Sequence, residues 1–473
     1  MNQSDYLAQD CVGLADLIAR REVSALEVVD AAATRLEAVN PRLNAVILET
    51  VDQARAAVKD GAPAGPLGGV PYLIKDLGAQ VAGLPTTAGS CLMGDPPAAA
   101  DSAIVAAYRK GGLVILGKTN TPEFGLEPVT EPARFGPSRN PWDLTRTPGG
   151  SSGGASSAVA GGIVPAAHAS DGGGSIRTPA SCCGLFGLKP SRGRVSFAPA
   201  DEGWGGFSIQ HAVTHTVRDS AVLLDLVSAP QPGDPYWRDA PATAFADEVG
   251  RDPGPLRIAF TTQALASDHV DPECVQAVRD AAKLCESLGH NVEEATLPGD
   301  FTALGAATGA IIAASVAATL DTEAARRGRP IGQNEVEDVT WGMYQRGKGV
   351  SGSAYIQSLQ AAHAFGRLIA GFFERCDILL LSTLGSPPIP IGALRGNPPD
   401  LRGYADRLFA FMPNTAAFNV TGQPAMTVPL AQSAGGLPIG MQFVARTGEE
   451  GLLFRLAGQL EEARPWAGRR AIL

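Results

Sequence analysis

Two short apolar runs separated by a helix-like segment are the feature that most constrains how this chain can fold. The runs, Val70 to Ile74 and Leu113 to Leu116, have the length and composition of buried strands, and the segment Ser102 to Lys110 between them has a helical pattern. A strand, a helix and a second strand in succession are typical of parallel pairing in a buried sheet. The sequence therefore predicts an α/β fold with a large, mainly parallel or mixed sheet.

Helical segments precede and follow this core. The first 60 residues contain a capping box at Ser24 to Glu27 and an apolar stripe that stops before Asn40, and the region from about 300 to 375 is Ala-rich and helical in character. Strands return in three later runs, namely Ile378 to Leu381, Ala425 to Leu430 and Ile439 to Val444. Neither an internal repeat nor a low-complexity linker divides the chain, so we predict a single domain over residues 1–473 with a helical arm over 1–60.

The charge balance of the chain argues against two classes of partner. With a formal net charge of −10 at pH 7, the chain lacks the Lys and Arg clusters that attract nucleic acid and anionic lipid. The N-terminus has no apolar stretch behind a basic start, and no run approaches the roughly 18 apolar residues of a membrane span. The 7 Cys residues include no C-x-x-C pair, so neither a disulfide framework nor a metal site is expected. We therefore expect a cytoplasmic protein that binds neither nucleic acid nor membrane.

A loop of glycines and serines spans Gly149 to Gly154. Glycine on both sides of Ser151 and Ser152 frees the backbone to bend sharply and exposes the hydroxyl groups. The helical stretch that follows, Ala155 to Ala160, would place the N–H groups of this loop at a helix N-terminus, where anions commonly bind. A flexible linker is the alternative interpretation, and the helix after the loop favours a functional site.

A second glycine-rich segment runs from Ser170 to Arg177. Its three consecutive glycines, Gly172, Gly173 and Gly174, can turn successive N–H groups around the hydroxyl of Ser175, which follows them. Such a nest of amides can stabilise an oxyanion, and removing one donor from a site of this kind costs about 3 to 4 kcal/mol in catalysis. This segment is therefore a second candidate for chemistry.

Lys75 ends the apolar run that begins at Val70. A surface lysine is the simplest interpretation of this position. A lysine that is desolvated among apolar neighbours, however, loses basicity and can act as a neutral base near pH 7. Lys75 is therefore a candidate general base.

Taken together, these segments resemble the amidase signature family. The resemblance is dense from about 65 to 200 and again from about 413 to 445. It is carried by Lys75-Asp76, Gly117 to Phe124, Arg139 to Trp142, Gly149 to Pro190 and Phe418 to Pro424. The resemblance implies a large mixed central sheet covered by helices on both faces, a catalytic core over 65–200, and a variable helical region on the substrate side over about 300–375.

The resemblance also assigns roles to individual residues. In the family a lysine is the base, the first serine of the glycine loop is a bridge that often follows a cis peptide bond, and a second serine is the nucleophile; the matching positions are Lys75, Ser151 and Ser175. The reaction implied is hydrolysis of a carbonyl–nitrogen bond through an acyl-enzyme, without a metal or an organic cofactor. The amides of Gly172, Gly173, Gly174 and Ser175 would form the oxyanion hole, with Asp171 and Arg177 holding the loop. Gly172 departs from the family pattern, in which Thr, Ile or Ala is usual, so we expect a more flexible turn than in relatives.

Within the family, the segment Thr119 to Trp142 resembles bacterial amidases that open cyclic nylon oligomers and their urethane-cleaving relatives. This implies a small-molecule amide or carbamate of a bulky or aromatic amine as the substrate. We expect it to be bound by the helical region and by loops near Phe124, Phe135 and Met343. Many relatives are dimers, and the sequence leaves a monomer and a homodimer open, with the helical arm as a candidate contact.

One alternative lies inside the family, because one branch works as the amide-transfer subunit of a transfer-RNA amidotransferase. Such a subunit uses glutamine, passes ammonia onward and acts together with partner chains. The segment Thr119 to Trp142 favours a stand-alone hydrolase over this alternative.

An α/β-hydrolase is an alternative outside the family, because Gly149 to Gly153 fits the pattern G-x-S-x-G and would make Ser151 the nucleophile. That fold needs a strand directly before the serine, and Thr145 to Pro148 is a poor strand. It also needs a catalytic histidine, whereas His168 and His363 lie among alanines and are typical of satisfied helix residues.

A nucleotide-binding loop is the last alternative, because Gly112 to Thr119 matches G-x-x-x-x-G-K-T. The residues between its glycines, Leu113 to Leu116, are all apolar and indicate a buried strand. A phosphate cradle needs a loop at this position, so we reject this interpretation.

Overall fold

A single mixed sheet of eleven strands forms the centre of the computed structural model, which describes residues 1–200, 202–400 and 403–472. In chain order the strands are β1 Val46–Glu49, β2 Pro71–Lys75, β3 Val114–Thr119, β4 Ala166–Asp171, β5 Phe186–Lys189, β6 Ile209–Thr214, β7 Arg257–Phe260, β8 Asn291–Glu294, β9 Ile378–Ser382, β10 Ala425–Gln432 and β11 Pro438–Ala445. Across the sheet they lie in the order β1-β3-β2-β4-β6-β5-β10-β11-β9-β7-β8. β2 pairs in parallel with β3 and β4, and β7 with β8 and β9, whereas the other pairs are antiparallel. The predicted α/β fold with a large mixed sheet is confirmed.

The helices lie before, between and after these strands. In chain order they are α1 Gln3–Leu7, α2 Cys11–Ala19, α3 Ala25–Leu43, α4 Val51–Ala57, α5 Ala103–Lys110, α6 Gly153–Ala160, α7 Arg177–Cys183, α8 Val217–Val227, α9 Phe245–Glu248, α10 Pro272–Ser287, α11 Phe301–Arg327, α12 Asp338–Lys348, α13 Gly352–Phe372, α14 Tyr404–Phe411, α15 Ala416–Thr421 and α16 Glu450–Ala463, with 3₁₀ turns at Glu123–Gly125 and Gln333–Glu335. The predicted helical region from about 300 to 375 corresponds to α11, α12 and α13.

Both faces of the sheet are covered because its strands bury alternate side chains on opposite sides. In β9, Ile378 and Leu380 belong to the main apolar cluster, which also contains residues of α10 and α16. Leu379 and Leu381 belong to a second cluster with residues of α11, α13 and α15. The helical region from α11 to α13 therefore covers the opposite face of the sheet from α10 and α16.

The predicted helical arm packs into the main core. The capping box is present, since the Ser24 N–H donates to Glu27 Oε2 at 2.8 Å and the Glu27 N–H donates to Ser24 Oγ at 3.2 Å. The apolar stripe from Val28 to Leu36 is buried in the same cluster as the strands of the sheet. The apolar stripe of the arm therefore packs against the chain's own core.

Helix α3 ends later than predicted. It continues through Asn40 and Pro41 to Leu43, although we expected it to stop before Asn40. Pro41 lies in the last turn, so the N–H that it lacks removes a single helical hydrogen bond and the helix ends two residues later. Asn44 then ends the helix in the left-handed region, and its N–H donates to the Asn40 carbonyl at 2.8 Å.

Helix α11 corrects the expectation that no segment has the composition of a membrane span. Its 27 residues are long and apolar enough by length and composition to cross a bilayer, and 33% of its most apolar window is buried. The prediction missed it because Thr, Ser and Gly interrupt the apolar residues while charges are absent until Asp321. Here α11 packs against α12 and α13, and core helices of soluble proteins have the same length and composition.

Candidate active site

Lys75 is the last residue of β2, and its side chain is fully buried. The Nζ atom donates to Ser151 Oγ at 2.7 Å, to Ser152 Oγ at 3.0 Å and to Ser170 Oγ at 3.0 Å. All three partners are neutral hydroxyl groups. The amine is therefore held in position by hydrogen bonds without a direct carboxylate partner to stabilise its charged form.

Burial lowers the pKa of Lys75 to about 7, while the negative charge of Asp171 acts in the opposite direction. Moving an ammonium group out of water disfavours the charged form, and hydroxyl partners compensate this only in part. A substantial fraction of Lys75 is therefore a neutral amine at neutral pH. This is the protonation state that a general base requires.

His168 lies beneath Lys75 and is uncharged. Its Nδ1 accepts the Lys75 backbone N–H at 3.3 Å, and its Nε2 lies 3.0 Å from Gln210 Oε1, so Nε2 carries the proton. Burial lowers the pKa of His168 to about 3. We expected a helix residue whose ring nitrogens have hydrogen-bond partners. Both ring nitrogens of His168 have partners, but the residue belongs to strand β4. A buried strand of alanines lacks the polar alternation that distinguishes a strand from a helix in the sequence.

The glycine–serine loop from Gly149 to Gly154 is buried throughout, so it is not a flexible linker. The Gly150–Ser151 peptide bond is cis. A Cβ atom on Gly150 would lie 2.6 Å from the Val129 backbone nitrogen, and one on Gly154 would lie 2.5 Å from that of Asn120. Glycine is needed at both positions because the neighbouring backbone approaches this closely, and the loop is therefore tightly packed against residues 120–130.

Ser175 ends the turn that joins β4 to α7, which we call the glycine turn (Gly172 to Ser175). The Ser152 N–H donates to the Ser175 carbonyl at 3.3 Å, so the glycine turn and the glycine–serine loop lie side by side. Ser175 is half-buried, whereas Ser151 is 2% exposed and Lys75 is 0% exposed. Of the three residues, Ser175 is the one that a substrate can reach.

The carbonyl groups of Gly173 and Gly174 accept hydrogen bonds from neighbouring residues. Thr415 Oγ1 donates to the Gly173 carbonyl at 2.6 Å, and the Thr178 N–H donates to the Gly174 carbonyl at 2.7 Å. In the part of the chain that the structure describes, the N–H groups of Gly173, Gly174 and Ser175 donate to no protein acceptor. These amides are thus available to a developing oxyanion next to the Ser175 hydroxyl.

Asp171 and Arg177 form a fully buried ion pair behind the glycine turn. Arg177 Nε and Nη2 each donate to the Asp171 carboxylate at 2.9 Å, and Asp171 Oδ2 also accepts the Ile176 N–H at 3.1 Å. Burial by itself would raise the pKa of Asp171, but the Arg177 charge and hydrogen bonds lower it to about 2. The carboxylate therefore stays charged and joins the two ends of the turn.

Arg177 also binds the C-terminal half of the chain. Its Nη1 donates to the Thr415 carbonyl at 2.9 Å and to Gln442 Oε1 at 2.7 Å, and its Nη2 donates to Asn419 Oδ1 at 2.6 Å. The guanidinium group thus connects the glycine turn to α15 and β11. Asp171, directly before the glycine turn, thus pairs with Arg177, two residues after it.

Comparison with known proteins identifies the family of this chain. The model of the Amidase family matches residues 27–454 of the chain. The chain belongs to the amidase signature family. It is therefore an amidase-family hydrolase that acts on carbon–nitrogen bonds.

Relatives of this amidase cover almost its whole length. It is 37% identical over 478 residues to the 6-aminohexanoate-cyclic-dimer hydrolase of Paenarthrobacter ureafaciens, which covers 98% of this chain and 96% of the relative. A solved structure of 6-aminohexanoate cyclic dimer hydrolase superposes with a TM-score of 0.91 at 37% identity, covering 98% of this chain and 99% of the other. The crystal structure of a bacterial aryl acylamidase of the amidase signature family gives a TM-score of 0.88 at 28% identity, with coverage of 98% and 99%.

Two of the three predicted substrate-binding residues of the amidase lie in one apolar cluster. Phe124 and Met343 pack at the edge of a group formed by Leu92, Val316, Leu320 and Ile331, which brings the catalytic core and the helical region together. Phe135 is not in this cluster. Its ring lies 5.1 Å from the guanidinium carbon of Arg134, and its carbonyl accepts a hydrogen bond from Asn44 at 2.8 Å.

Several site residues of the amidase were not singled out from the sequence. Ser152 and Ser170 accept hydrogen bonds from the Lys75 amine. Ser152 lies in the first glycine-rich segment that the sequence identified, and Ser170 lies in the second. Asn419 lies in the segment Phe418 to Pro424, which carried part of the resemblance, but Thr415 lies outside every quoted motif. Among the described residues, no group of three or more His, Cys, Asp or Glu side chains could hold a metal ion.

Proposed function

We propose that this amidase hydrolyses secondary amides and aryl carbamates through an acyl-enzyme on Ser175, with Ser151 as the proton bridge and Lys75 as the base. The observation that supports this most directly is the hydrogen bond of 2.7 Å from the buried Lys75 Nζ to Ser151 Oγ. The pKa of Lys75, about 7, provides the neutral amine that such a relay needs. Ser175, half-buried at the end of the glycine turn, is the nucleophile that a substrate can reach.

In the acylation step, Ser175 Oγ attacks the substrate carbonyl carbon and passes its proton to Ser151, whose own proton moves to Lys75 Nζ. The carbonyl oxygen becomes an oxyanion that the N–H groups of Gly173, Gly174 and Ser175 stabilise. Lys75 then returns the proton through Ser151 to the leaving nitrogen. The carbon–nitrogen bond breaks, the amine departs, and an ester of Ser175 remains.

In the deacylation step, water takes the place of the amine. It loses a proton through Ser151 to Lys75 and attacks the ester carbonyl, which regenerates the oxyanion. The oxyanion collapses, the bond to Ser175 Oγ breaks, and the proton returns through Ser151 to Ser175. The products are the acid and the free enzyme, so the reaction needs only water.

The apolar cluster beside Ser151 supports this substrate class. A Cβ atom on Gly125 would lie 3.1 Å from Ser151 Oγ, which places the turn at Phe124 against the group that protonates the leaving amine. Phe124 and Met343 are half-buried apolar side chains at this place. We infer an amine of bulky or aromatic character, in agreement with the cyclic amide and aryl acylamide that the names of the relatives describe.

The test of this function is hydrolysis of a chromogenic anilide and of the aryl carbamate with the same amine. We expect turnover of both, together with an acyl adduct on Ser175 that mass spectrometry detects after rapid quenching. The ratio of the two rates gives the preference between amide and carbamate. Turnover of small primary amides alone would refute the proposed substrate class, and an adduct on Ser151 would refute the proposed nucleophile.

We expect the stability of this chain to depend on pH through Lys75. Its pKa in the folded chain, about 7, lies below the value of roughly 10.4 for an unfolded lysine, so between these values the unfolded chain binds one more proton. The free energy of unfolding therefore rises with pH across this window, by up to about 1.4 kcal/mol per pH unit. The same ionisation should make kcat/KM increase as pH rises through about 7.

Urea unfolding of the wild type and Lys75→Met at several pH values between about 7 and 10 measures this effect. The wild type should gain stability relative to the variant as pH rises, and Lys59→Met, at an exposed lysine, serves as the matched control. A difference between wild type and Lys75→Met that stays constant with pH would contradict the lowered pKa.

A further inference from the structure

Trp204 has an unusual backbone conformation within the glycine-rich segment Gly203 to Phe207, which we call the Trp204 loop. Its φ angle is 54°, and Gly205 and Gly206, which follow it, have φ angles of 64° and 80°. A bulky side chain rarely adopts this left-handed region because its Cβ atom crowds the neighbouring carbonyl oxygen. Backbone strain of this kind persists only where other contacts hold it, and it is frequent at functional sites.

Hydrogen bonds from outside hold the Trp204 loop in place. Arg192 Nε donates to the Gly206 carbonyl at 2.6 Å, and Asn419 Nδ2 donates to the Phe207 carbonyl at 3.0 Å. The same Asn419 amide donates to the Asp171 carbonyl at 2.9 Å. One side chain thus connects the loop to the residue directly before the glycine turn.

The Trp204 indole lies against the first residue of the glycine turn. A Cβ atom built on Gly172 would lie 2.7 Å from both Cε3 and Cζ3 of Trp204, closer than such contacts occur in proteins. The φ angle of Gly172 is outside the left-handed region, so the backbone itself does not require glycine here. We expected glycine at position 172, where the family usually has Thr, Ile or Ala, to make the turn flexible. Instead, the absence of a side chain at Gly172 leaves the space that the Trp204 ring occupies.

The two ends of the glycine turn meet different groups. At the Ser175 end lies the loop of Ser151, which on the proposed function protonates the leaving amine, so the amine side of a substrate extends toward Gly125. The acyl side then extends the other way, toward Gly172. The half-buried Trp204 indole lies at that end and is not part of any of the buried apolar clusters.

Met412 lies near the same turn. A Cβ atom on Gly174 would lie 3.0 Å from its Sδ, and one on Gly173 would lie 4.0 Å from its Cε. An indole and a thioether therefore flank the backbone amides that would hold the oxyanion. Both groups are apolar and polarisable, and they suit an alkyl or aryl chain rather than a charged one.

We propose that Trp204 determines the acyl specificity of this enzyme, with its indole forming the wall on which the alkyl or aryl acyl group of an amide, or the alkoxy group of a carbamate, packs. This inference rests on the proposed function for the direction of the substrate. It gives Gly172 a defined task, because any side chain at this position would displace the indole.

Anilides that share one chromogenic amine and differ in the acyl group test the proposal. In the wild type, kcat/KM should rise from acetyl to octanoyl and benzoyl, and Trp204→Ala should lower it by about 10- to 100-fold for the long and aromatic acyl groups but much less for acetyl. Trp204→Phe should keep most of the preference. Trp237→Ala removes an indole that is 63% exposed and is the matched control.

Gly172→Ala provides an independent route to the same result. Its methyl group must displace the indole, so the variant should lose the preference for long acyl groups, and the loss should be much smaller when Trp204 is already Ala. Thermal unfolding checks that each variant remains folded. Equal dependence on acyl length in the wild type and Trp204→Ala, or an effect of Trp204→Ala on a series of different amines instead, would overturn the proposal.

Binding to the Ser175→Ala chain separates this inference from the proposed function. Affinity for the same anilides, measured by calorimetry, should increase with acyl length, and Trp204→Ala should abolish the increase. If the wild type turned over none of the anilides, the proposed function would fail. The length dependence of binding would still support or overturn the role of Trp204.

Discussion

Ser175→Ala, Ser151→Ala and Lys75→Ala are each expected to lower kcat for anilide hydrolysis by about four to six orders of magnitude. On the proposed mechanism the three side chains form one proton path, from Ser175 through Ser151 to Lys75 Nζ, so the loss of any member interrupts all of it. Combining two of the substitutions should therefore cost little more than one. The residual rate would come from the amides of the glycine turn and from substrate binding.

Ser152→Ala is the matched control for this prediction. Its Oγ is also a ligand of Lys75, at 3.0 Å, and it donates to the Ser170 carbonyl at 3.1 Å. Loss of the hydrogen bond to Lys75 should cost about 5-fold in rate, since a neutral hydrogen bond contributes about 1 kcal/mol. If Ser152→Ala were as inactive as Ser151→Ala, the proton path would not be the one proposed.

The features that the sequence predicted correctly are those encoded within a few neighbouring residues. An apolar run that ends in Lys75 marks a strand and the residue at its end, and glycines around Ser151 and before Ser175 mark the two loops. The C-terminal strands were predicted to within two residues at each end, because Ile378 to Leu381 and its two successors are short apolar runs bounded by turns. Local chemistry thus identified the candidate catalytic residues.

The features that were missed depend on contacts between distant parts of the chain. Arg177 binds Thr415 and Gln442, which follow it by 238 and 265 residues, and no local pattern specifies that pairing. The sequence analysis did not single out Trp204 for the same reason, because its proposed role depends on the contact between its indole and Gly172. In both cases the glycine turn or its supporting residue contacts a residue that lies 29 or more positions further along the chain.

Arg177→Met is expected to lower the free energy of unfolding by about 3 to 5 kcal/mol. The substitution leaves the Asp171 carboxylate buried without its positive partner, and it removes the donor to the side-chain oxygens of Gln442 and Asn419. Arg20→Met is the matched control, because it breaks the pair with Asp16, in which the two side chains are 65% and 59% exposed. An exposed pair of this kind should contribute at most about 1 kcal/mol.

The dependence on pH separates loss of charge pairing from loss of packing. In the wild type the pKa of Asp171 is lowered to about 2, so the contribution of this carboxylate is complete above the unfolded value of roughly 3.9 and is lost as pH falls toward 2. In Arg177→Met burial should raise that pKa, and protonation then relieves the buried charge. Urea unfolding should therefore show a smaller difference between variant and wild type at about pH 5 than at about pH 7.

The double substitution Asp171→Asn with Arg177→Met completes the argument. It removes both charges, so it should be more stable than Arg177→Met alone if the unpaired carboxylate is the main cost. It should still be less active than the wild type, because Asp171 Oδ2 accepts the Ile176 N–H and so holds the end of the glycine turn beside Ser175. A double variant less stable than Arg177→Met would show that packing around the guanidinium group, rather than its charge, connects the turn to α15 and β11.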